Sequence, residues 1–382
     1  MPNTINAALV DQFYAMGLAA LRKKTSILRY VNNLNDSFSG QQKFGSVIVP
    51  ISAPYADATD VTPSQTPPAG NDTTPQYATV TLSNWKSTNF HLTDYEISRV
   101  QDGTMGMQME EAVDSLARTI VKSILATYTS VYQYTGTAAT TPFASNTAPA
   151  QAARKLLNRA GVPENNRALL LNFDAEENAL GLPIFQRVNE SGDASVMREG
   201  FIGRRLGMDW DSDAYMPSHT RGTLTGSPLV NGAVTAGATT VNIDAGSLTG
   251  TVVVGDLFTV AGDTQQYVVT ANATASGNAI AGMTFSPAAV TNWADNAAVT
   301  FVATHAVAGL AIQKQAIAFA SRPLITEVGF SGGNIIREYP DMESGLVLNM
   351  EISREYKRTK VDFSCLWGVT MVRPQAAVRI LG

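Results

Sequence analysis

The strongest hydrophobic pattern in the chain is a stripe of apolar side chains at helical spacing between residues 106 and 134. Glu110 and Glu111 come near its start, where a helix dipole favours negative charge, and Gly136 is a typical stop. The pattern predicts one long helix with a wide buried face. The residues expected on that face are Met109, Val113, Leu116, Ala117, Ile120, Val121, Ile124, Leu125, Tyr128 and Tyr132.

Two alternating segments before this helix enclose a long polar excursion. Apolar and polar residues alternate over 46–51 and again over 77–98, which predicts strands, with a bulge or turn where the phase slips between Leu92 and Tyr95. The residues between the segments are rich in Pro and Thr. Because structureless loops of this length are uncommon in compact domains and are usually functional or disordered, we predict a long two-stranded arm with a projecting tip.

Shorter patterns flank these elements and predict a mixture of helices and strands. Helical spacing of Leu9, Phe13, Met16 and Ala20 predicts an N-terminal helix, and "APAQAARKLLNRAG" and "DAEENALG" predict two more after the long helix. "RALLLNF" predicts a buried strand, and "REGFIGRRLGMDWDSDAYMP" predicts two turns and a strand.

A change of composition marks the next part of the chain. No Lys or Arg occurs between Arg221 and Lys314, and short β-branched runs alternate with turn residues. This pattern predicts a small β-barrel or sandwich over residues 229–303. The apolar spacing of residues 305–324 predicts an amphipathic helix that ends at Pro323. The alternation of residues 344–382 predicts two or three strands of an antiparallel sheet.

Composition and charge narrow the function classes. Apolar residues make up 45% of the 382 residues, but charged residues only 15%, against a typical ~25%, which suits a surface covered by neighbours. The net charge of −5 argues against a dedicated nucleic-acid binder. A single cysteine, Cys365, allows no internal disulfide. Without a signal-peptide pattern or an apolar run of about 18 residues, we expect a soluble protein made in the cytosol.

Candidate chemistry in the sequence is sparse, and we predict no catalytic, cofactor-binding or metal site. His91, His219 and His305 lie in separate segments without metal-ligand spacing, so surface or strand histidines are favoured over ligands. "GFIGRRLG" lacks the spacing of a phosphate-binding loop, which favours turn glycines. Glu176 and Glu177 are neighbours that face different directions on a helix, which favours charge at a helix N-terminus over an acid–base pair.

The single cysteine and a basic run near the C-terminus each allow a structural and a functional interpretation. Cys365 lies in a strand-like run, where a buried structural thiol is favoured over a nucleophile. The basic run "REYKRTK" is consistent with a nucleic-acid patch, but equally with a solvated or subunit-facing strand edge.

Several segments together resemble one protein family. "VGDLFTVAG" followed by "QQYVVTA" inside the Lys- and Arg-free stretch is similar to the insertion domain of P22-type tailed-phage coat proteins. The opening "NAALVDQFYAMGLAALRKK" resembles the N-terminal arm of that family, and "YKRTKVDFSCLWGVTMVRPQAAVRILG" resembles its closing strands. The resemblance covers nearly the whole chain in the right order.

The resemblance implies an α+β HK97-like major capsid fold with an inserted small β-barrel domain. The arm would be the extended loop that lies over a neighbouring subunit, which orders its polar tip. The implied divisions are an N-terminal arm and start of the peripheral domain at 1–44, extended loop and peripheral strands at 45–100, spine helix at 101–136, axial domain at 137–228 and 304–340, inserted barrel at 229–303, and peripheral C-terminal strands at 341–382.

The charge distribution suggests how the arm would dock. No basic residue occurs from 44 to 85, whereas the tip contains three aspartates, so we hypothesise that the tip meets basic residues of an adjacent subunit. The hypothetical contact residues are Asp57, Asp60 and Asp72 on the tip, with Arg22, Lys23, Lys24, Lys357, Arg358 and Lys360 as their partners.

The resemblance implies a structural function rather than an enzymatic one. The chain would assemble with itself into hexamers and pentamers of an icosahedral shell, in the host cytoplasm, and would enclose the double-stranded DNA genome of the virion. The implied partners are a scaffolding protein, a portal protein at one vertex and DNA bound without sequence specificity, with a decoration protein left open and no membrane. The alternatives are a phage tail or surface protein with an added β-domain, and a hydrolase, for which no nucleophile–base pair is found.

Overall fold

A computed structural model describes residue 21 and residues 25–34, 45–51, 76–95, 104–187, 200–323, 335–340 and 345–382. The predicted N-terminal helix and the tip of the arm lie outside these ranges. The helices are α1 (Thr104–Leu125), α2 (Ala148–Arg159), α3 (Phe173–Leu180) and α4 (Pro183–Gln186), with 3-10 turns at Ser26–Tyr30, Ala126–Ser130 and Pro374–Ala376.

Strands form most of the regular structure, and together with the helices they make an α+β fold. They are β1 (Asn32–Asn33), β2 (Ser46–Ile51), β3 (Gln76–Thr81), β4 (Asn84–Thr93), β5 (Tyr134–Gly136), β6 (Arg167–Leu171), β7 (Gly203–Arg205), β8 (Met208–Ser212), β9 (Ser218–His219), β10 (Leu229–Val230), β11 (Thr240–Asp244), β12 (Thr251–Val252), β13 (Leu257–Val260), β14 (Tyr267–Val269), β15 (Ala273–Thr274), β16 (Ala279–Ser286), β17 (Val299–Phe301), β18 (His305–Gln313), β19 (Ile317–Ser321), β20 (Ile335–Pro340), β21 (Val347–Glu355), β22 (Arg358–Met371) and β23 (Ala377–Leu381).

The long helix forms as predicted but is shorter at its C-terminal end. All ten residues expected on its apolar face are buried. However, α1 ends at Leu125 instead of continuing to Tyr134, and a 3-10 turn leads into β5. The hydroxyls of Ser123, Thr127 and Thr129 donate to backbone carbonyls three residues earlier. Such local bonds compete with the helical pattern, and the run of Thr, Tyr and Val has low helix propensity.

The predicted helix over residues 305–324 is wrong, because this segment forms two consecutive strands, β18 and β19, which belong to different sheets. β18 is enclosed between β6 and β23, and nearly every residue in it is buried. A Cβ atom added at Gly309 would lie 3.0 Å from Leu171 and 3.3 Å from Ile380. In a short apolar run that is buried on both faces, periodicity does not distinguish a strand from a helix. The segment is a strand because β6 and β23 pair with it.

Two large sheets organise the body of the molecule. In the first, the order is β1-β19-β22-β21-β20, and β4 also pairs with β22. In the second, the order is β5-β23-β18-β6-β8-β7, and β9 also pairs with β18. The predicted C-terminal strands are present, but they separate: β21 and β22 belong to the first sheet and β23 to the second.

The predicted arm is confirmed only at its root. β2 and β3 pair in antiparallel register from Ser46↔Thr81 to Ile51↔Gln76. β4, which the sequence assigned to the arm, instead pairs with β22 from Asn84↔Trp367 to Thr93↔Arg358. The expected break near residue 93 is the end of β4. We call the β2–β3 pair the ribbon root.

Residues 229–301 contain a third sheet with its own core. Its order is β10-β11-β16-β14-β13-β17, and a bridge between Leu229 and Ala298 joins the two ends, so that the sheet closes. Inside it, Tyr267 and Trp293 pack with ring centroids 5.1 Å apart, and Phe285 lies 5.1 Å from Trp293. We call this closed sheet the barrel. Its core is separate from the main core, in which α1 packs against both large sheets.

Candidate assembly surface and polar junction

The ribbon root has one buried and one exposed face. Val47, Val49 and Val80 are buried against Ala318 and Ala320 of β19, which lies in the first sheet. On the other face Ile48 is 63% exposed and Tyr77 is 62% exposed. The alternation of the two strands therefore attaches the root to the body on one side and leaves an apolar surface on the other.

A close backbone contact holds the root on the body. A Cβ atom added at Gly368 of β22 would lie 2.3 Å from the carbonyl oxygen of Thr81 and 3.1 Å from Val80. Only glycine therefore allows β3 to cross β22 at this distance. The contact sets how closely β3 lies over β22.

Large aromatic side chains are exposed at one end of the β4–β22 pair. Asp94 donates from its backbone N–H to the carbonyl of Lys357 at 3.1 Å, which brings the segments of Tyr95 and Tyr356 together. Tyr356 is 85% exposed and Tyr95 is 68% exposed. Exposed Tyr is enriched at protein interfaces, so this end of the sheet is a candidate contact surface.

The structure describes three of the predicted basic contact residues. Two of them already form ion pairs with acidic residues of the same chain. Arg358 bonds to Glu355, and the Lys360 ammonium lies 3.0 Å from Asp362. Lys357 lies 5.2 Å from the ring centroid of Tyr356. The other predicted contact residues lie outside the described ranges, so the contact between the two sets stays a prediction: Asp57, Asp60, Asp72, Arg22, Lys23 and Lys24.

A buried polar cluster joins the barrel to the second sheet, and sequence reasoning missed it. We call it the polar junction: Tyr128, His219, Asp256, His305 and Arg379. Nε2 of His219 lies 2.8 Å from Asp256 Oδ1, and Nδ1 lies 3.1 Å from the Tyr128 hydroxyl. His219 and His305 are register partners on β9 and β18, with ring centroids 5.4 Å apart.

Asp256 and Arg379 are the charged members of the polar junction. Asp256 accepts bonds from the backbone N–H groups of Val253 at 2.9 Å and Gly222 at 3.2 Å. Arg379 is fully buried and donates from Nη1 to the carbonyl of Gly255 at 3.0 Å. Burial lowers the pKa of Arg379 to about 9, and the neighbouring Tyr128 and Asp256 offset only part of this effect. The barrel loop thus supplies the anion and the C-terminal strand supplies the cation.

Two further contacts hold the barrel against the second sheet. The side-chain amide of Gln266 accepts from the N–H of Tyr134 at 2.8 Å and donates to its carbonyl at 3.0 Å. Leu257 and Val268 of the barrel pack with Leu381 in a small apolar cluster. Two features of the sequence could have indicated the polar junction: one Asp within the apolar run "VVVGDLFTV" and one Arg within the final strand "AVRIL".

The polar junction is a structural connection rather than a reaction centre. The Tyr128–His219–Asp256 chain has the order of a proton relay, but the side chains of His219 and Asp256 are only 4% and 2% exposed. Such buried side chains have little contact with solvent in this structure. His91 lies separately, on the exposed part of β4. Within the described ranges, no three His, Cys, Asp or Glu side chains are grouped to hold a metal ion.

The other candidate residues have structural environments. Cys365 is buried beside Ser321, and burial raises the pKa of its thiol to about 12, which favours the unreactive protonated form. Glu176 lies in the first turn of α3, where the side chain of Asn172 accepts from the N–H of Ala175 at 2.9 Å. The predicted burial of Cys365 and the predicted position of Glu176 at a helix N-terminus are confirmed.

Comparisons with known proteins identify the fold. No family model and no curated protein matches the chain. A solved structure from Mycobacterium phage Che8 aligns with a TM-score of 0.50 at 13% identity, covering 93% of this chain and 90% of that one. The capsid of cyanophage P-SCSP1u aligns at 0.49, with 13% identity and coverage of 94% and 88%. The capsid of Ralstonia phage GP4 aligns at 0.47, with 8% identity and coverage of 93% and 87%.

The helices of the described residues include none that is long and apolar enough to cross a membrane. Along almost its whole length, the chain shares the fold of the Che8 phage structure.

Proposed function

We propose that this chain is the major capsid protein of a tailed double-stranded DNA phage. The observation that carries the proposal is the likeness of fold to the Che8 phage structure, which extends over 93% of the chain. The sequence resemblance to P22-type coat proteins is independent support. It involves the first residues, the barrel and the last strands, so no single segment accounts for it.

The parts of the molecule have proposed roles in an HK97-like subunit. The ribbon root begins the extended loop, α1 is the spine helix, and the barrel is the inserted domain. The first sheet belongs to the peripheral domain and the second to the axial domain. This assignment differs from the divisions proposed from the sequence in two places: β19 and β20 move to the peripheral domain, and β23 moves to the axial domain.

The exposed face of the ribbon root and the aromatic end of the β4–β22 pair are the proposed contacts between copies. Ile48, Tyr77, Tyr95 and Tyr356 would supply apolar burial, which drives association more strongly than surface charge pairs worth about 0–1 kcal/mol. The acidic tip, with Asp57 and the other tip aspartates, would set register and select partners. Because Arg358 and Lys360 already have acidic neighbours, the tip must compete with them for these residues.

The proposed partners and location follow the same assignment. Copies of the chain form hexamers and pentamers around the genome in the virion, after assembly in the host cytoplasm. A scaffolding protein acts during assembly, a portal protein occupies one vertex, and DNA is contacted without sequence specificity. A second candidate is a phage tail or surface protein with an added β-domain. The likeness of fold to the Che8 phage structure supports this candidate as well.

Electron microscopy of the purified chain tests the proposal. The chain is expressed alone and with its native scaffolding protein, and the products are separated by size before imaging. Closed shells, tubes or sheets built from six-fold units support the capsid assignment. Fibres support the tail assignment, and a monodisperse monomer under both conditions overturns both.

A further inference from the structure

We propose that the polar junction is an acid-sensitive latch, which holds the barrel against the second sheet while His305 is neutral and releases it when His305 is protonated. The inference goes beyond shell formation, because it concerns a conformational change within one subunit.

The hydrogen bonds of His305 favour the neutral ring. Its Nδ1 lies 2.8 Å from the carbonyl oxygen of Ala303. A carbonyl only accepts, so Nδ1 carries the proton, and Nε2 of the neutral ring carries a lone pair. Nε2 is buried and has no hydrogen-bond partner among the described residues. Protonation would place a new N–H donor at this position without an acceptor, which is costly in a buried site.

The charges around His305 act in the same direction. It faces His219 from β9, Asp256 from the barrel loop and Arg379 from β23, and Tyr128 of the 3-10 turn contacts His219 and Arg379. Asp256 is the one acid in this set, and it already accepts from His219 and from two backbone N–H groups. A second buried cation beside Arg379 is therefore not neutralised.

The same surroundings affect the titration of His305. Burial lowers the pKa of His305, Arg379 and His219 lower it further, and the Ala303 carbonyl and Asp256 offset only part of this effect. A group whose pKa is lowered in the closed form stabilises that form at high pH. The stabilisation is lost as the pH falls through the ordinary histidine value of 6.5 and below.

The segment that opens is defined by its bonds to the junction. Gly255 has φ +97° and contacts His219, where an added Cβ would lie 3.0 Å from the imidazole. The N–H groups of Val253 and Gly222 are bound to Asp256. Opening the junction exposes these amides, so their exchange with solvent reports the latch directly.

Hydrogen exchange at pH 7.5 and pH 5.5, corrected for intrinsic exchange rates, tests the latch in the complete chain. If the open form titrates at 6.5 and the closed form stays neutral, the ratio of open to closed rises about tenfold over this interval. We expect this increase in peptides that cover 217–224 and 250–257. The exchange of α1 amides should change much less.

Matched variants identify the responsible histidine. His305→Asn retains a donor near the Ala303 carbonyl and does not titrate, so the tenfold increase should fall to about twofold or less. His91→Asn makes the same change on exposed β4 and should retain the wild-type increase. An increase that is absent in the wild type, or unchanged in His305→Asn, overturns the proposal.

A second measurement covers the case in which His305→Asn does not fold. With three histidines in the chain, His91→Asn identifies the ¹⁵N imidazole resonances of His91. The two remaining rings are distinguished by the nitrogen that forms a hydrogen bond to an oxygen acceptor, which is Nδ1 to the Ala303 carbonyl in His305 and Nε2 to Asp256 in His219. The His305 ring should remain in its Nδ1-protonated neutral form at pH values where ordinary histidines are charged. Titration of His305 at or above 6.5 overturns the latch.

Discussion

The ribbon root and the barrel are both attached to the sheets of the body, but by different kinds of contact. The root rests on a few small residues, with three buried valines and one backbone crossing at Gly368. The barrel is attached by an apolar cluster, by the amide pair at Gln266 and by the buried charges of the polar junction.

The difference shows what each attachment is suited to. The root contacts the body through a small apolar surface, and its opposite face is exposed. A partner can therefore cover that exposed face. A buried polar cluster instead demands one geometry, because displacement leaves charges and hydrogen-bond donors unsatisfied. The root therefore keeps one face free for a partner, and the barrel is held in one geometry.

The largest expected effect comes from removing the anion of the polar junction. Asp256→Ala leaves His219 and two backbone N–H groups without their acceptor and Arg379 without the nearby anion, and should lower the free energy of unfolding by about 3–5 kcal/mol. Urea denaturation of the unassembled subunit measures this change. Asp244→Ala, at a partly exposed position of the barrel, should change stability by about 0.5 kcal/mol or less. Equal effects would show that the junction does not hold the barrel.

An intermediate effect is expected where the ribbon root crosses the sheet. Gly368→Ala places a Cβ atom against the Thr81 carbonyl, so the root must move, at a cost of about 1–3 kcal/mol. Faster hydrogen exchange in β3 and a lower denaturation midpoint would report the movement. Gly246→Ala, where an added Cβ contacts nothing within 4 Å, is the control and should leave both unchanged. A tolerated Gly368→Ala would mean that the root is not fixed by this crossing.

Neighbouring positions on β2 separate folding from assembly. Val47→Asn puts a polar side chain on the buried face and should cost the subunit about 1–3 kcal/mol. Ile48→Asn, on the exposed face, should change subunit stability by about 0.5 kcal/mol or less but reduce shell yield, measured by sedimentation and electron microscopy. Wild-type assembly of Ile48→Asn would exclude this face as a contact surface.

The smallest effect on subunit stability is expected at the tip of the arm. Reversal of Asp57 and Asp60 to lysine should leave the unfolding midpoint unchanged and impair assembly, most strongly at low salt because screening weakens exposed charge pairs. Asp57→Asn with Asp60→Asn should have an intermediate assembly defect. Normal shells from the reversed variant would discard the docking hypothesis.

Local patterns determined a large part of this molecule. The apolar face of α1, the strands of the barrel and the cap of α3 all follow from side-chain spacing and turn chemistry within short windows. These features depend on neighbours a few residues away, and so the sequence shows them directly. The sequence likewise predicted that Cys365 is structural, because an apolar strand surrounds it.

Only the tertiary structure decided which strands pair and which polar residues meet. The run at 305–321 was placed in two sheets by partners far away in the chain, against its helical spacing. β4 joined β22 instead of extending the arm, and His219 met Asp256 and His305 across separate segments. Strand pairing and burial depend on residues that are distant in the sequence. The spacing of residues within one segment therefore does not predict them.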